Sequence, residues 1–381
     1  MRSPTPIVAL AGLLLVGAAC TKNDTDSASG NVKVRSTDDA CEVSAAAAPS
    51  GNLVFEVTND GSEVTEFYLL ADDGLRIIGE VENIGPGISR NLVVQAAPGG
   101  YFTACKPGMV GDGIRSAFTV SDSGQEVATG DVADLIATGT EQYRLYVRDQ
   151  VGQLVAKTQQ FADLYTAGSD DEARALYADA RTHWERIEPV AESFGDLDPK
   201  LDLREADLEA GQAWTGWHAI EKDLWPPATD YTPFTADERT ALADLLVFDT
   251  TDLSARVQEL TYDATQLGNG AKELLDEVAT GKVTGEEEIW SHTDLWDFQA
   301  NVDGARIAFE NLQPALEKKD PDLATTLTER FTALQQLLDR HRDGEGFQLY
   351  TDLSTAEIKA LADAVNALSE PLAELTAAVV L

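Results

Sequence analysis

The chain has 381 residues, 43% of them hydrophobic, which is enough for hydrophobic cores and for two or more domains. Its 28 basic and 66 acidic residues give a formal net charge of −38. Such an acidic excess argues against a nucleic-acid-binding protein, which needs a basic face, and favours the binding of metal cations or adaptation to salt.

The first twenty residues have the pattern of an export signal. Arg2 precedes an apolar run over residues 7–16, too short to span a bilayer as a mature helix, and small residues follow up to Cys20. This end is similar to a bacterial lipobox, in which Cys20 would become the lipidated N-terminus; ordinary cleavage near Ala19 is the alternative. We predict a lipoprotein signal peptide over residues 1–20 and a polar tether over residues 21–30. The mature protein would be exported and lipid-anchored to the outer face of the cytoplasmic membrane or cell envelope.

Residues 31–123 have the pattern of a small β-sandwich. Short β-prone runs at residues 53–57 and 91–94 are separated by turn sequences at residues 59–61, 85–87 and 98–100. Short strands with regular turns over about 90 residues are typical of a sandwich.

Residues 131–381 have the apolar spacing of helices, with apolar side chains at i, i+3 and i+4. Proline and glycine pairs at residues 226–227 and 268–270 predict helix ends. We therefore predict an all-α bundle after the β-sandwich. The predicted helices cover residues 142–165, 171–194, 205–225, 235–267, 286–316 and 356–379.

The β domain contains two cysteines, Cys41 and Cys105, which an exported protein most often joins in a disulfide. The alternative is a soft metal site, because Met109 follows Cys105 by four residues and thiolate with thioether suits copper. Glu66 is a candidate third ligand. The domain has no histidine, so a blue-copper centre of the usual kind is not expected.

The strongest local motif is an H-x-x-E formed by His218 and Glu221 on a predicted helix. Residues three apart share one helix face, so the imidazole and the carboxylate can converge on one ion. A structural histidine is the alternative explanation. The zincin and inverzincin motifs, H-E-x-x-H and H-x-x-E-H, are not met, because Lys222 follows Glu221.

Two further acidic segments are candidates for the same chemistry. Glu185 and Glu188 are again three apart, and Pro189 cannot donate to the carbonyl of Glu185, which predicts a local break in the helix. The acidic triplet at residues 286–288 precedes His292, although such triplets are often just a charged helix start.

Three long runs, at residues 183–207, 215–224 and 285–302, resemble the EfeO-type iron-uptake lipoproteins of the EfeUOB system. The β domain is similar to the same family around Cys41, residues 65–67, residues 83–87 and Cys105. The resemblance covers nearly all of the mature chain. It implies a cupredoxin-like domain over residues 31–123 and an imelysin-like, metal-binding domain over residues 131–381.

The resemblance also implies a set of metal ligands. His218 and Glu221 are the first of them, and the likeness extends the helical-domain set to Glu185, Glu188, Asp202, Glu287 or a neighbour of it, and His292. In the β domain it implies Cys41, Glu66 and Cys105. Met109 is added to this set because it follows Cys105 by four residues and its thioether suits copper.

The function implied is iron capture outside the cytoplasmic membrane and delivery to a membrane ferric permease, with a haem peroxidase as a further partner. Carboxylate and imidazole ligands suit iron and also bind zinc readily, whereas copper belongs to the β-domain alternative. We expect a binding protein and no catalytic residues, peptidase or otherwise. The alternatives are a copper-dependent ferroxidase that oxidises Fe(II) before transfer, and an acidic surface interaction protein whose H-x-x-E is structural.

Overall fold

The computed structural model describes residues 31–124, 130–208 and 211–381. The predicted signal peptide, the tether and the lipidation site at Cys20 lie outside these residues. Within them, strands occupy the chain up to Ser121 and helices begin at Asp131. The predicted fold class, an all-β sandwich followed by an all-α domain, is confirmed.

The N-terminal domain consists of two sheets packed face to face around the phenylalanine rings of Phe55, Phe67 and Phe118. The strands are β1 (Asn31–Ser36), β2 (Cys41–Val43), β3 (Ala47–Pro49), β4 (Gly51–Asn59), β5 (Thr65–Leu70), β6 (Ile77–Ile84), β7 (Ser89–Ala96), β8 (Gly99–Pro107) and β9 (Ile114–Ser121). One sheet has the order β2-β1-β4-β7, and the other has the order β3-β9-β8-β5-β6.

The helical domain is a bundle around the long first helix, which packs against the second, fifth and seventh helices. Its helices are α1 (Asp131–Thr166), α2 (Asp170–Glu185), α3 (Leu197–Asp202), α4 (Trp217–Leu224), α5 (Ala236–Glu259), α6 (Ala264–Thr280), α7 (Asp294–Lys319), α8 (Pro321–Leu338), α9 (Thr355–Leu372) and α10 (Leu375–Val380). A two-stranded ribbon, β10 (Arg342–Asp343) and β11 (Gly346–Phe347), lies between α8 and α9.

The predicted stop at residues 268–270 is wrong, because α6 continues through it. A Cβ at Gly270 would lie 1.7 Å from the carbonyl oxygen of Pro189, and one at Gly268 would lie 2.3 Å from the hydroxyl of Thr376. These glycines therefore allow close packing in the middle of a helix, and tertiary contact overrides their low helix propensity.

The predicted helix over residues 205–225 is also wrong in extent, since α4 covers only its last part. A short 3₁₀ segment, Glu205–Asp207, precedes it, and Gly216 caps α4 with a φ of 84°. A Cβ at Gly216 would lie 2.1 Å from the carbonyl oxygen of Leu201. Glycine is thus required twice here, and the close approach places the start of α4 against the end of α3.

The two domains are joined by contacts of α6 and the C-terminus with the first sheet. Asn269 Nδ2 donates to the carbonyl of Val93 at 2.8 Å, and the backbone N–H of Gln95 donates to Thr265 Oγ1 at 3.1 Å. Asn52 Nδ2 donates to the carbonyl of Val380 at 2.7 Å. Across the residues that the structure describes, we find no helix with both the length and the apolarity needed to cross a membrane.

Candidate metal centre

The H-x-x-E pair lies on one face of α4, as its spacing predicts, and both side chains are buried. His218 Nδ1 lies 3.2 Å from Glu221 Oε2. The other oxygen of Glu221 accepts hydrogen bonds from the backbone N–H groups of Trp290 at 3.1 Å and Ser291 at 2.7 Å. The carboxylate is therefore fixed with one oxygen turned toward the imidazole.

Two other chain segments bring carboxylates to the opposite side of the imidazole. His218 Nε2 lies 3.4 Å from Asp202 Oδ1, at the end of α3, and 3.5 Å from Glu287 Oε1. Glu288 Oε1 lies 3.9 Å from Nδ1. These side chains form two groups whose ligand atoms lie within 4.8 Å of one another: Asp202, His218 and Glu287, and His218, Glu221 and Glu288.

Glu287 and Glu288 reach the centre from a turn, because α7 begins only at Asp294. The backbone N–H of Glu288 donates to Asp294 Oδ1 at 3.1 Å, and Ser291 Oγ donates to Glu288 Oε2 at 2.8 Å. These local bonds hold two consecutive carboxylates on the same side of the chain, which a regular helix would separate by about 100°.

Glu185 and Glu188 lie beside the centre, but Lys282 neutralises them. Lys282 Nζ lies 2.8 Å from Glu185 Oε2 and 2.8 Å from Glu188 Oε2. Arg181, also fully buried, donates to the other oxygen of Glu185. Arg181 also pairs with Asp202, and its Nε lies 2.6 Å from Glu288 Oε1, so a protein cation contacts the ligand groups as well. Glu185 and Glu188 differ from those residues in that they belong to neither group.

The predicted break at Pro189 is confirmed, because α2 ends at Glu185 and a 3₁₀ segment, Glu188–Phe194, follows. The proline leaves the carbonyl of Glu185 without its helical donor. Asn301 Nδ2, on α7, donates to that carbonyl at 3.1 Å and to Glu185 Oε2 at 3.0 Å. The break therefore ties α2 to α7 next to the centre.

Several buried atoms of the centre have no hydrogen-bond partner among the described residues, namely His218 Nε2, Glu287 Oε2, Asp294 Oδ2 and both carboxylate oxygens of Asp297. Buried polar groups without partners are costly, and such groups are expected where an ion binds. An imidazole nitrogen and carboxylate oxygens facing one small space are the donor set of a hard or borderline cation.

The pKa values of the centre reflect charges of both signs. Burial raises the pKa values of Asp202, Glu221 and Glu287, but nearby cations and His218 outweigh burial and hold all three below their ordinary values. Burial and Arg181 lower the pKa of His218, but its contacts with the surrounding carboxylates outweigh both and hold it well above its ordinary value. Burial raises the pKa of Glu288 well above its usual range, and the nearby Glu221 adds to this effect. A bound cation would relieve the same repulsion.

His292 is not brought into the centre. Its backbone has a φ of 60°, its N–H donates to the carbonyl of Glu288 at 2.7 Å, and its half-buried ring is in neither ligand group found among the described residues. The prediction assumed a continuous helix from residue 286, which would have placed His292 one turn beyond Glu288. The positive φ ends that turn and directs the chain elsewhere.

The predicted thiolate site in the β domain is wrong, because Cys41 and Cys105 form a disulfide. Neither sulfur is then a thiolate, the form in which cysteine binds metals. Glu66 accepts a hydrogen bond from Tyr68 Oη at 2.5 Å and lies 3.6 Å from Lys106 Nζ, so its charge is already compensated. Met109 is exposed in a turn. Of the two alternatives for the cysteines, the disulfide is the one observed.

Comparison with known proteins agrees with both domains. Residues 139–375 match the imelysin family, and residues 7–120 match the cupredoxin-like domain family. The "Iron uptake system component EfeO" of Yersinia pseudotuberculosis is 38% identical over 347 residues, covering 90% of each chain. This chain belongs to the EfeO family. The proteins of the same name from Yersinia pestis and Escherichia coli O157:H7 are 37% and 36% identical over the same length, again with 90% of each chain covered.

Within this family framework, the centre contains residues that local sequence patterns did not identify. The sequence places Glu288 in an acidic triplet four residues before His292, but it is Glu288 without His292 that completes one of the two ligand groups. Arg181 and Lys282 have no local signal at all, because a lysine or arginine in a helical sequence is normally a surface residue. Their burial becomes visible only when α2 and the 3₁₀ turn Lys282–Thr284 pack together.

Proposed function

We propose that this chain captures an iron cation outside the cytoplasm and holds it at the His218 centre before passing it to a membrane ferric permease. The observation that carries the proposal is the buried Nε2 of His218, which has no hydrogen-bond partner in the part of the chain that the structure describes and lies 3.4 Å from Asp202 and 3.5 Å from Glu287. The name of the relatives, an iron uptake system component, supports iron as the cargo.

The donor set supports this cargo on chemical grounds. Carboxylate oxygens with one imidazole suit Fe(II), Fe(III), Mn(II) and Zn(II), whereas Cu(I) prefers thiolate and thioether. Zinc is therefore expected to compete in solution. An imidazole binds a metal only when its nitrogen is free of a proton, so His218 exchanges a proton for the cation, and binding weakens in acid.

The remaining parts of the proposal concern the setting. A lipid anchor at Cys20 would keep the chain at the outer face of the cytoplasmic membrane or cell envelope, within reach of a permease and of a haem peroxidase of the same system. The chain acts as a binding protein in this proposal, without catalysis. The disulfide between Cys41 and Cys105 argues against a copper-dependent ferroxidase in the β domain.

The test is anaerobic titration of the metal-free protein with Fe(II), comparing His218→Gln and Glu221→Gln with His341→Gln. His341 is also buried, but its ring bonds to Gln348 and it belongs to neither ligand group. We expect each centre variant to lose about 100-fold or more in affinity, since removing even an outer partner of a metal ligand typically costs 10–100-fold. The control should bind as the unaltered protein does.

Two results would contradict the proposal. One is unchanged affinity and stoichiometry in both centre variants. The other is an unaltered protein whose melting temperature does not respond to iron, which would favour an acidic interaction protein with a structural H-x-x-E instead. A ligand that binds only the folded state must raise its stability, by about 2.7 kcal/mol at a hundredfold excess over Kd.

A further inference from the structure

A cavity of about 310 Å³ lies between the two domains. Its walls come from β5 and β6 on one side and from α3, α6 and the Glu188–Phe194 segment on the other. Ten of its lining residues carry a carboxylate and one, Arg204, carries a positive charge. Acidic side chains therefore far outnumber basic ones around this space, and both domains contribute to its walls.

Strand β6 supplies the β-domain carboxylates of this cavity. Side chains alternate along a strand, and Val81 packs in the sandwich core, so Glu80 and Glu82 both point to the opposite face. Glu80 is 6% exposed, and its carboxylate makes no hydrogen bond or ion pair with any residue that the structure describes. Burial, with Glu82 and Glu273 adding repulsion, raises the pKa of Glu80 well above its usual range. A carboxyl group that is buried without a partner is either protonated or neutralised by a bound cation.

The helical domain supplies carboxylates to the facing wall. Glu273 and Glu277 are four apart on α6 and share one helix face, and Glu192 and Asp198 come from the segments that follow α2. Neither Glu273 nor Glu192 forms an ion pair with a described residue. Glu277 is exposed, so the cavity reaches solvent at this residue.

The inner end of the cavity is the metal centre itself. Asp202 and Glu287, which flank His218 Nε2, also line the cavity. Oε2 of Glu287 accepts no hydrogen bond from a described residue, but it lies at this junction in an ion pair with Arg204 Nη1 at 3.6 Å. The exposed Asp207 also lines the cavity, so it reaches solvent on this side too. The cavity and the centre therefore share two carboxylates, and a cation held in the cavity borders the centre.

We propose that this interdomain cavity is a second cation site, in which Glu80 and Glu82 of the β domain and Glu273 of the helical domain hold a hydrated divalent cation that then moves to the His218 centre. The proposal rests on the proposed function, because it needs the centre as the destination. It also gives the β domain a role that does not require copper.

The geometry favours a hydrated cation over a directly ligated one. Among the described residues, the carboxylates of the two cavity walls form no group of three whose oxygens lie within 4.8 Å of one another. A volume of about 310 Å³ accommodates an ion with its water shell, since one water takes about 30 Å³ of liquid. Carboxylates then act through bound water, as they commonly do with Mg²⁺.

The experiment uses Mn²⁺ alone as the probe on the full chain. The cavity variant is Glu80→Gln combined with Glu273→Gln, and the single Glu80→Gln change provides a second, milder variant. The matched control is Glu56→Gln combined with Glu370→Gln, which removes the same charge from exposed positions in the same two domains. Equilibrium dialysis counts bound Mn²⁺, and stopped-flow mixing gives the association rate.

We expect two Mn²⁺ per unaltered or control chain, and one in the cavity variant. Association with the His218 centre should also slow by about tenfold or more in the cavity variant, because electrostatic focusing raises on-rates by 10–10³. A protein with His218→Gln and Glu221→Gln should keep the cavity ion.

The inference is overturned if the double and single cavity variants match the control in both the number of bound Mn²⁺ ions and the association rate. Loss of both ions in the cavity variant would overturn it as well, because the sites would then not be separate. Unchanged binding in the His218 variant would instead refute the proposed function.

Discussion

Replacing Lys282 by Met tests whether protein cations hold the acidic centre together. Lys282 is buried, and its Nζ lies 2.8 Å from Glu185 Oε2, 2.8 Å from Glu188 Oε2 and 3.9 Å from Glu287 Oε1. Methionine keeps much of the side-chain length and flexibility and removes only the charge. The change therefore leaves buried carboxylates facing one another without their counter-ion.

The expected cost follows from this arrangement. Removing one partner of a buried ion pair costs about 3–5 kcal/mol, because the remaining charge is left without compensation. We expect the free energy of unfolding of the metal-free protein to fall by about 4 kcal/mol. The affinity for Fe(II) should rise by about tenfold or more, because a positive charge 3.9 Å from a candidate ligand oxygen repels the incoming cation. For scale, two unit charges about 4 Å apart interact by ~4 kcal/mol at an effective dielectric constant near 20.

The assay is urea unfolding in the presence of a chelator, followed by anaerobic Fe(II) titration of the folded protein. The control is Lys359→Met, because Lys359 pairs with Asp363 at 2.6 Å while both side chains are about two-thirds exposed or more. An exposed pair contributes less than about 1 kcal/mol. Equal losses of stability in the two variants, or weaker iron binding in Lys282→Met, would refute the reasoning.

Two further predictions concern the framework. Replacing Cys41 and Cys105 by Ser should lower the free energy of unfolding of the β domain by about 4 kcal/mol, because the disulfide closes a loop with a sequence separation of 64. A urea unfolding curve that is the same with and without the disulfide would contradict this. Gly139→Ala should destabilise the chain by about 1–3 kcal/mol, since its Cβ would lie 2.0 Å from the carbonyl oxygen of Asn311. Gly152→Ala, at a position of the same helix where the Cβ would meet no atom within 4 Å, should stabilise the chain by up to about 1 kcal/mol. Thermal unfolding of both variants checks the pair, and shifts of the same sign would show the packing argument to be wrong.

Local periodicity predicted the helices that pack mainly through one apolar face. The predicted segment at residues 142–165 lies inside α1, and that at residues 356–379 covers most of α9 and α10. Periodicity failed where packing decides the backbone. Gly268 and Gly270 resemble a helix stop in sequence, yet Thr376 and Pro189 lie against them and α6 continues.

The site divides in the same way. The pairing of His218 with Glu221 follows from a spacing of three on a helix, and the break at Pro189 follows from the missing N–H. Neither pattern could show that Glu185 and Glu188 face Lys282, or that His292 itself has a positive φ and lies outside the ligand groups. The assignment of Cys41 and Cys105 also needed the fold, because their Cα atoms lie 5.4 Å apart across 64 positions of chain.

The sequence alone determines that this protein is acidic and that it consists of a β-sandwich followed by a helical bundle. It also determines that one imidazole and one carboxylate share a helix face. These properties depend on composition and on residues a few positions apart, where backbone geometry fixes the relation. Tertiary structure decided which other carboxylates reach His218, which are neutralised by Arg181 and Lys282, and that an acidic cavity leads to the centre from between the domains. Those outcomes join segments tens of residues or more apart, and only the packing of the whole chain sets the distances between them.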